Sequence, residues 1–146
     1  MNIDIEERVA KAKRLFKEEG YNCCQAVVLA YNDVFGIEDA VAAAMSSGFG
    51  GGMGRMREVC GSVSGMVMLA GLMAPANDPS IKVDRTRNYA LVQEMAGKLR
   101  PVLHRIGVAM GSYELARFDR DDVTVQATVS EYESAEIQQV QAAVAG

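Results

Sequence analysis

Cysteine is scarce in this chain: three residues in 146, none of them in a C-x-x-C spacing. That count is too low for the disulfide framework of a small secreted domain and leaves one cysteine over in any pairing. Without C-x-x-C-H there is no covalent haem attachment, and three cysteines cannot supply a four-thiolate zinc or iron–sulfur site. Histidine is scarcer still. The single His104 is the one residue that could complete a ligand set with Cys23 and Cys60, but it lies beside Arg100 and Arg105, off the apolar stripe, and reads as part of a solvated helix face. No metal site is expected. An excess of positive charge is also missing: the net charge is −4, so the chain lacks a nucleic-acid signature. Internal repeats and low-complexity tracts are absent too.

The longest uncharged run, Val59 to Asn77, is broken by Gly61, Ser62, Ser64, Gly65, Gly71 and Pro75. A membrane span needs about 20 predominantly apolar residues, so this run reads as a buried helix lined with small residues. The segment from Met1 to Glu7 carries three acids and no apolar stretch, which is neither a signal nor a transit peptide pattern. A cytoplasmic protein is expected.

What is present is helical periodicity. Hydrophobic residues make up 49% and charged residues 23%, an ordinary globular balance. Ile5, Val9, Ala12, Leu15 and Phe16 recur at helical spacing and place an amphipathic helix over residues 4–18, stopped at Gly20. Asn22 and Gln25 form a capping box for a second helix, expected to run to Phe35 before Gly36. An alanine-rich third helix spans Glu38 to Gly48. The most buried helix is expected over 57–73, where Gly61 and Gly65 form a flat strip that admits another backbone. Asp78-Pro79 reads as a cap and first turn for a long helix from 80 to about 110. Its stripe is Val92, Met95, Leu99, Val102, Leu103, Ile106 and Met110, and Pro101 should kink it by releasing the carbonyl of Gly97.

The expected fold is all-α: one helical domain of about five main helices over residues 1–118. Residues 119–146 differ. Val123, Val125, Ala127 and Val129 alternate as in an extended arm or strand, and Ser130 with Glu133 caps a last short helix whose Ile137, Val140 and Val144 face one way. Charge is segregated, with a balance of +4 over 80–117 and −5 over 118–146. The segregation reads first as two solvated faces, and otherwise as a tail that folds back on the preceding helix or meets a basic partner; packing of 119–146 on its own chain or on a second subunit, giving a homo-oligomer, is the matching domain expectation.

Two constellations carry candidate chemistry. Five glycines fall between Gly48 and Gly54, a density that marks an unusual loop or a close backbone approach. Gly50, Gly51, Gly52 and Gly54, with Arg55 and Arg57 behind them, are candidates to hold a small anionic molecule or cofactor in a nest of amides before a helix N-terminus. The loop is neither a Walker A motif nor a dinucleotide fingerprint, because no G-K-[ST] follows and no strand precedes it. No particular cofactor is indicated. The alternative is a tight connection that lets helices approach. The second constellation is Cys23 and Cys60, each near a helix N-terminus, where the positive end of the helix dipole stabilises a thiolate. If the two helices pack, a disulfide between them would close a loop of about 38 residues, worth roughly 4 kcal/mol in the chain-entropy model. The alternative is two small buried apolar residues. Cys24 lies about 100° further round its helix, so both neighbours are not expected to face one target.

Asn22-Cys23-x-Gln25-Ala26, Gly48-Phe49-Gly50-Gly51-Gly52-Met53-Gly54-Arg55 and Glu58-Val59-Cys60-Gly61-x-Val63-Ser64-Gly65 together resemble the putative redox-active protein family named for its C-GCAxxG-C-C cysteine pattern, over residues 5–74. The resemblance implies a small, mostly helical prokaryotic protein with redox activity assumed from its cysteines. Cys23 and Cys60 match the first two family cysteines, and Gly50, Gly51, Gly52, Gly54, Gly61 and Gly65 match its glycines. Cys24 stands where a small residue such as alanine is usual, Ser62 stands at an alanine position, and the two later cysteines have no counterpart. The chain is thus either a reduced version that keeps one redox pair or one that keeps the fold alone. The leading expectation is a thiol-based redox protein, an oxidoreductase using Cys23 and Cys60 with a redox partner. The alternatives are an anion-binding module and an oligomeric scaffold.

Overall fold

The computed structural model describes residues 3–105, with side chains through residue 99. The arm at 119–146, the expected strand and last helix within it, and the stripe residues beyond Leu99 lie outside the described residues. Five α-helices and two short 3-10 turns make up the described chain, and it contains no strand.

Helix α1 spans Ile5–Lys17. Asp4 caps it, its carboxylate accepting from the Glu7 amide, while Arg14 and Lys17 sit favourably in the last turn. Ala12 and Leu15 are buried on the inward stripe, and Gly20 leaves the helix at a φ of +81°. Helix α2 spans Cys23–Leu29 and carries the expected capping box: Asn22 accepts from the Gln25 amide and Gln25 accepts from the Asn22 amide. Such a cap contributes about 1 kcal/mol.

Helix α2 does not continue to Phe35. It ends at Ala30, and a separate 3-10 turn covers Asn32–Phe35. The cause lies in α1. Arg8 donates to the Ala30 carbonyl at 2.8 Å, and the Val34 amide, its helical partner, bonds to Tyr31 instead. Asn32, buried, then donates to the Ile37 carbonyl and to Asp39, both at 2.7 Å, which pins this turn to the start of α3. Arg8 also pairs with Asp33 and lies 5.6 Å from the centre of the Tyr31 ring.

Helix α3 spans Asp39–Ser46 and passes through a second 3-10 turn, Ser47–Phe49. Helix α4 spans Gly61–Met73, beginning four residues later than its apolar pattern suggests, because residues 57 and 58 bond back into the glycine segment. Helix α5 spans Lys82–Arg105. Asp78 accepts from the Ser80 amide and hydroxyl in a turn ahead of it, so the helix starts two residues later than expected. It runs on through Pro101, which does not end it.

Helix α2 is central, with α1, α3 and α4 packed around it and α5 laid against α4. Tyr31, Met66, Leu69, Leu99 and Val27 are the largest apolar side chains fully withdrawn from solvent. The uncharged α4 is covered by α2 and α5, and no described helix is long and apolar enough to cross a membrane.

Burial acts to raise the Asp33 carboxyl, but the hydrogen bond and charge of Arg8, with Lys11, hold it below the usual aspartate range. A depressed carboxyl stabilises the fold above its unfolded pKa, and that share is lost as pH falls through the folded value. Arg8→Met removes this ion pair, which contributes little because Asp33 is half exposed, together with the bond to the Ala30 carbonyl, and should lower stability by about 1 kcal/mol at pH 7. In urea melts at pH 7 and pH 3, the variant should also lose less stability on acidification than the parent.

Candidate functional site around the cysteines

The site is built where the first turns of α2 and α4 meet. Cys23 is the first residue of α2, and Cys60 is the residue that caps α4, with no side-chain cap bond. A Cβ built on Gly61 would lie 2.5 Å from Cys23 Sγ, 2.8 Å from the Phe49 carbonyl and 3.3 Å from the Cys24 amide. The Cys23 sulfur thus occupies the space that any other residue at 61 would need. One turn on, a Cβ at Gly65 would come within 3.1 Å of both the Cys24 carbonyl and Val27. Matching 61 to 23 and 65 to 27 means that α2 and α4 run in the same direction, with both N-termini at the cysteine end. Their dipoles converge there and favour negative charge.

The three thiols differ in environment. Cys23 and Cys24 are buried and Cys60 is half-buried, and no disulfide links them. Cys24 is fully withdrawn from solvent, its Sγ 4.0 Å from Met68 Sδ. Its thiol is pushed up to about 12, first by burial and then by the nearby Cys23 and Cys60. At neutral pH it is a packed thiol, not a nucleophile. Of the three, Cys60 is the residue that is not fully buried.

The glycine segment reaches this site as a left-handed coil. Gly51, Gly52, Met53, Gly54 and Arg55 are consecutive residues with φ between 60° and 76°, and Arg57 follows at 63°. The carbonyls of Gly48, Phe49, Gly50, Gly51 and Gly52 accept from the amides of Gly54, Met53, Arg55, Arg57 and Glu58. The coil closes its own backbone bonds with the opposite hand to an α-helix. Left-handed backbone costs roughly 1–2 kcal/mol per non-glycine residue, and glycine spares that cost at three of these six positions. At Gly52 a Cβ would also lie 2.9 Å from the Glu58 amide, inside the coil itself. Asn22 ties the coil to α2: its amide nitrogen donates to the Ser47 carbonyl at 2.9 Å, and its side chain fills the space beside Gly50.

Among the expected site residues, Cys23 and Gly61 are in contact and Cys60 caps the same junction. Gly50 packs on Asn22, and Gly51, Gly52 and Gly54 form the coil. Arg55 is exposed and Arg57 partly so. The amides of residues 53–58 all donate to carbonyls of the segment, so they are spent within the coil. Among the described residues no three His, Cys, Asp or Glu side chains are placed to hold a metal ion, and the His104 side chain lies outside them. Two contributors escape a sequence reading. Asn22 reads as a helix cap, not as the anchor of the coil. Met68 carries no signal beyond its apolar character.

The sequence model of the family described as "Putative redox-active protein (C_GCAxxG_C_C)" matches residues 21–113, well over half of the chain. The chain belongs to that family. The match begins just before the α2 cap and takes in both cysteine-bearing helix starts, the coil and all of α5. Helix α1 lies outside it, so the family region is shifted toward the C-terminus from the 5–74 expected. No curated protein and no solved structure matches the chain.

With iodoacetamide at pH 8, Cys60 should be alkylated first. Cys24 should stay unmodified until the protein unfolds, since a thiol near 12 is about one part in ten thousand thiolate at that pH. Peptide mapping by mass spectrometry reads the order. Gly61→Ala should cost about 1–3 kcal/mol, because its methyl overlaps the Cys23 sulfur. Gly52→Ala should cost at least as much, through left-handed backbone and the clash with Glu58. Both are measurable in urea melts.

Proposed function

We propose that the protein is a thiol–disulfide redox protein whose working pair is Cys60 and Cys23. The observation that carries this reading is the seating of the Cys23 sulfur against Gly61, the residue after Cys60, where two helix N-termini converge. Cys60, the more accessible sulfur, attacks. Its thiolate displaces one sulfur of a partner disulfide as a thiolate and forms a mixed disulfide. Cys23, as its thiolate, then attacks the Cys60 sulfur, forming the Cys23–Cys60 bond and releasing the second partner thiolate. Two electrons pass from the cysteine pair to the partner, and a reduced dithiol donor reverses the sequence. Burial keeps Cys24 protonated and out of the exchange.

The surroundings suit such a partner. Met53, Met56 and Val59, exposed on the chain leading into Cys60, offer an apolar surface on which a partner polypeptide can rest. The coil shapes access to Cys60, and its internal bonds hold that approach in one form. The anion-binding reading draws less support, because the amides of 53–58 are engaged by the coil's own carbonyls. The oligomeric-scaffold reading rests on residues 119–146.

Protein treated with a mild oxidant such as diamide and mapped in denaturant should contain a Cys23–Cys60 bond and a free Cys24. Cys24→Ser should keep that bond, and Cys23→Ser or Cys60→Ser should abolish it. Three free thiols after oxidation, or a bond that includes Cys24, would sink the reading.

A further inference from the structure

Asn22 stands immediately before Cys23, and its side chain is engaged at both ends. Oδ1 accepts from the Gln25 amide at 2.9 Å and caps α2. Nδ2 donates to the Ser47 carbonyl at 2.9 Å. The two partners settle which end of the amide is which, since an N–H must face the oxygen and a carbonyl must face the nitrogen. The cap alone does not call for asparagine. Serine and aspartate cap a helix about as well, but neither carries an amide donor beyond its capping oxygen. What the amide adds is a hold on the segment that leads to Cys60.

That hold has a path to the second sulfur. A Cβ built on Gly50 would lie 2.8 Å from Asn22 Cβ and Nδ2 and 2.9 Å from Cγ, so the start of the coil is seated on the Asn22 side chain. From there the coil is bonded through to its end. The Arg55 amide bonds to the Gly50 carbonyl, and the amides of Arg57 and Glu58 bond to the carbonyls of Gly51 and Gly52. Glu58 stands two residues before Cys60 in the chain. The coil also lies against the start of α4, since a Cβ at Gly61 would be 2.8 Å from the Phe49 carbonyl. Cys23 is thus placed by the helix that Asn22 caps, and Cys60 by the coil that Asn22 holds. An interaction that fixes both thiols of a pair raises the effective concentration of one at the other.

On the thiol–disulfide reading above, we propose that Asn22 is a positioning residue for the Cys23–Cys60 pair: by joining the cap of α2 to the coil, it keeps Cys60 beside the start of α2 and sets how readily the disulfide closes. With glutathione disulfide as the oxidant, the Cys23–Cys60 bond forms and the glutathione S–S bond breaks. Two electrons pass from the protein to glutathione, and two glutathione thiols leave with the two protons.

The test equilibrates the full chain with mixtures of reduced and oxidised glutathione at pH 7 and quantifies the Cys23–Cys60 bond by peptide mapping after an acid quench. Asn22→Ser keeps a capping oxygen and removes the amide donor. It should lower the effective concentration of the pair about fivefold, the scale of one modest hydrogen bond, while urea melts of the reduced protein stay close to the parent. Gly50→Ala disturbs the same contact from the coil side. Gly50 has a φ of −62°, so alanine strains no backbone there, and the three atoms nearest the added methyl all belong to Asn22. This variant should shift the equilibrium in the same direction, and it carries the test if the serine variant does not fold. The proposal is overturned if both variants close the bond within about twofold of the parent. It is overturned equally if Asn22→Ser destabilises the reduced protein and leaves the closing equilibrium unchanged, which is the behaviour of a helix cap alone. In both cases the parent still forms the bond and the thiol–disulfide reading stands. A parent chain that forms no Cys23–Cys60 bond in oxidised glutathione overturns that reading and the role of Asn22 with it.

Discussion

The contact between α2 and α4 is the constraint on which the rest depends. Two backbones can lie this close only if one of them has no side chains at the interface, and Gly61 and Gly65 provide that strip, one turn apart. The Cys23 sulfur fills the space at 61, and the Cys24 carbonyl and Val27 fill it at 65. Because the helices run in the same direction, both N-terminal dipoles are brought to one place, and both bear a cysteine there. Helix α5 lies against α4, and its Met95 and Leu99 are buried.

Two helices that run in the same direction cannot be joined by a short turn. The chain must return from the far end of α2 to the cysteine end before α4 starts, and α3 makes that return. The left-handed coil is the last link. It closes its own carbonyl–amide bonds within a few residues and is clamped to the α2 cap by Asn22. Cys60 leaves the coil as the cap of α4, with partial access to solvent and a fixed position relative to Cys23. Cys24 lies one residue away and has the opposite character, since burial keeps it protonated. Packing thus leaves the three cysteines unequally exposed at one junction. Further along α4 the small residues give way to Met68, Leu69 and Leu72, and an apolar cavity lies at that end. Met68 belongs to both regions, touching the Cys24 sulfur and lining the cavity.

Local signals in the chain were legible wherever their cause is local. The apolar period of α1, the Asn22–Gln25 box, the glycine strip of α4 and the placement of Cys23 and Cys60 at helix starts each depend on residues within a turn or two, and each is present in the fold. Readings failed where the cause is distant. The second helix ends early because Arg8, 22 residues upstream, takes the Ala30 carbonyl. Helix α4 starts late because residues 57 and 58 are drawn back to Gly51 and Gly52. Glycine density marked the segment as unusual, but left-handedness at Met53, Arg55 and Arg57 goes with the coil's own backbone bonds, between residues three to six apart, and no residue type announces it.

The sequence by itself determined the all-helical class of the described chain, the approach of one helix to another at Gly61 and Gly65, and which two cysteines sit at helix starts. Periodicity, capping and the absence of a side chain act over a few residues and can be read along the chain. Only the tertiary structure decided that α2 and α4 lie in the same direction, that Cys24 is buried while Cys60 is partly exposed, that the amides of residues 53–58 are spent within the segment, and that Asn32 leaves one buried oxygen unmet. Each of these depends on burial and on partners brought together from distant parts of the chain, and neither is a property of any short stretch of it.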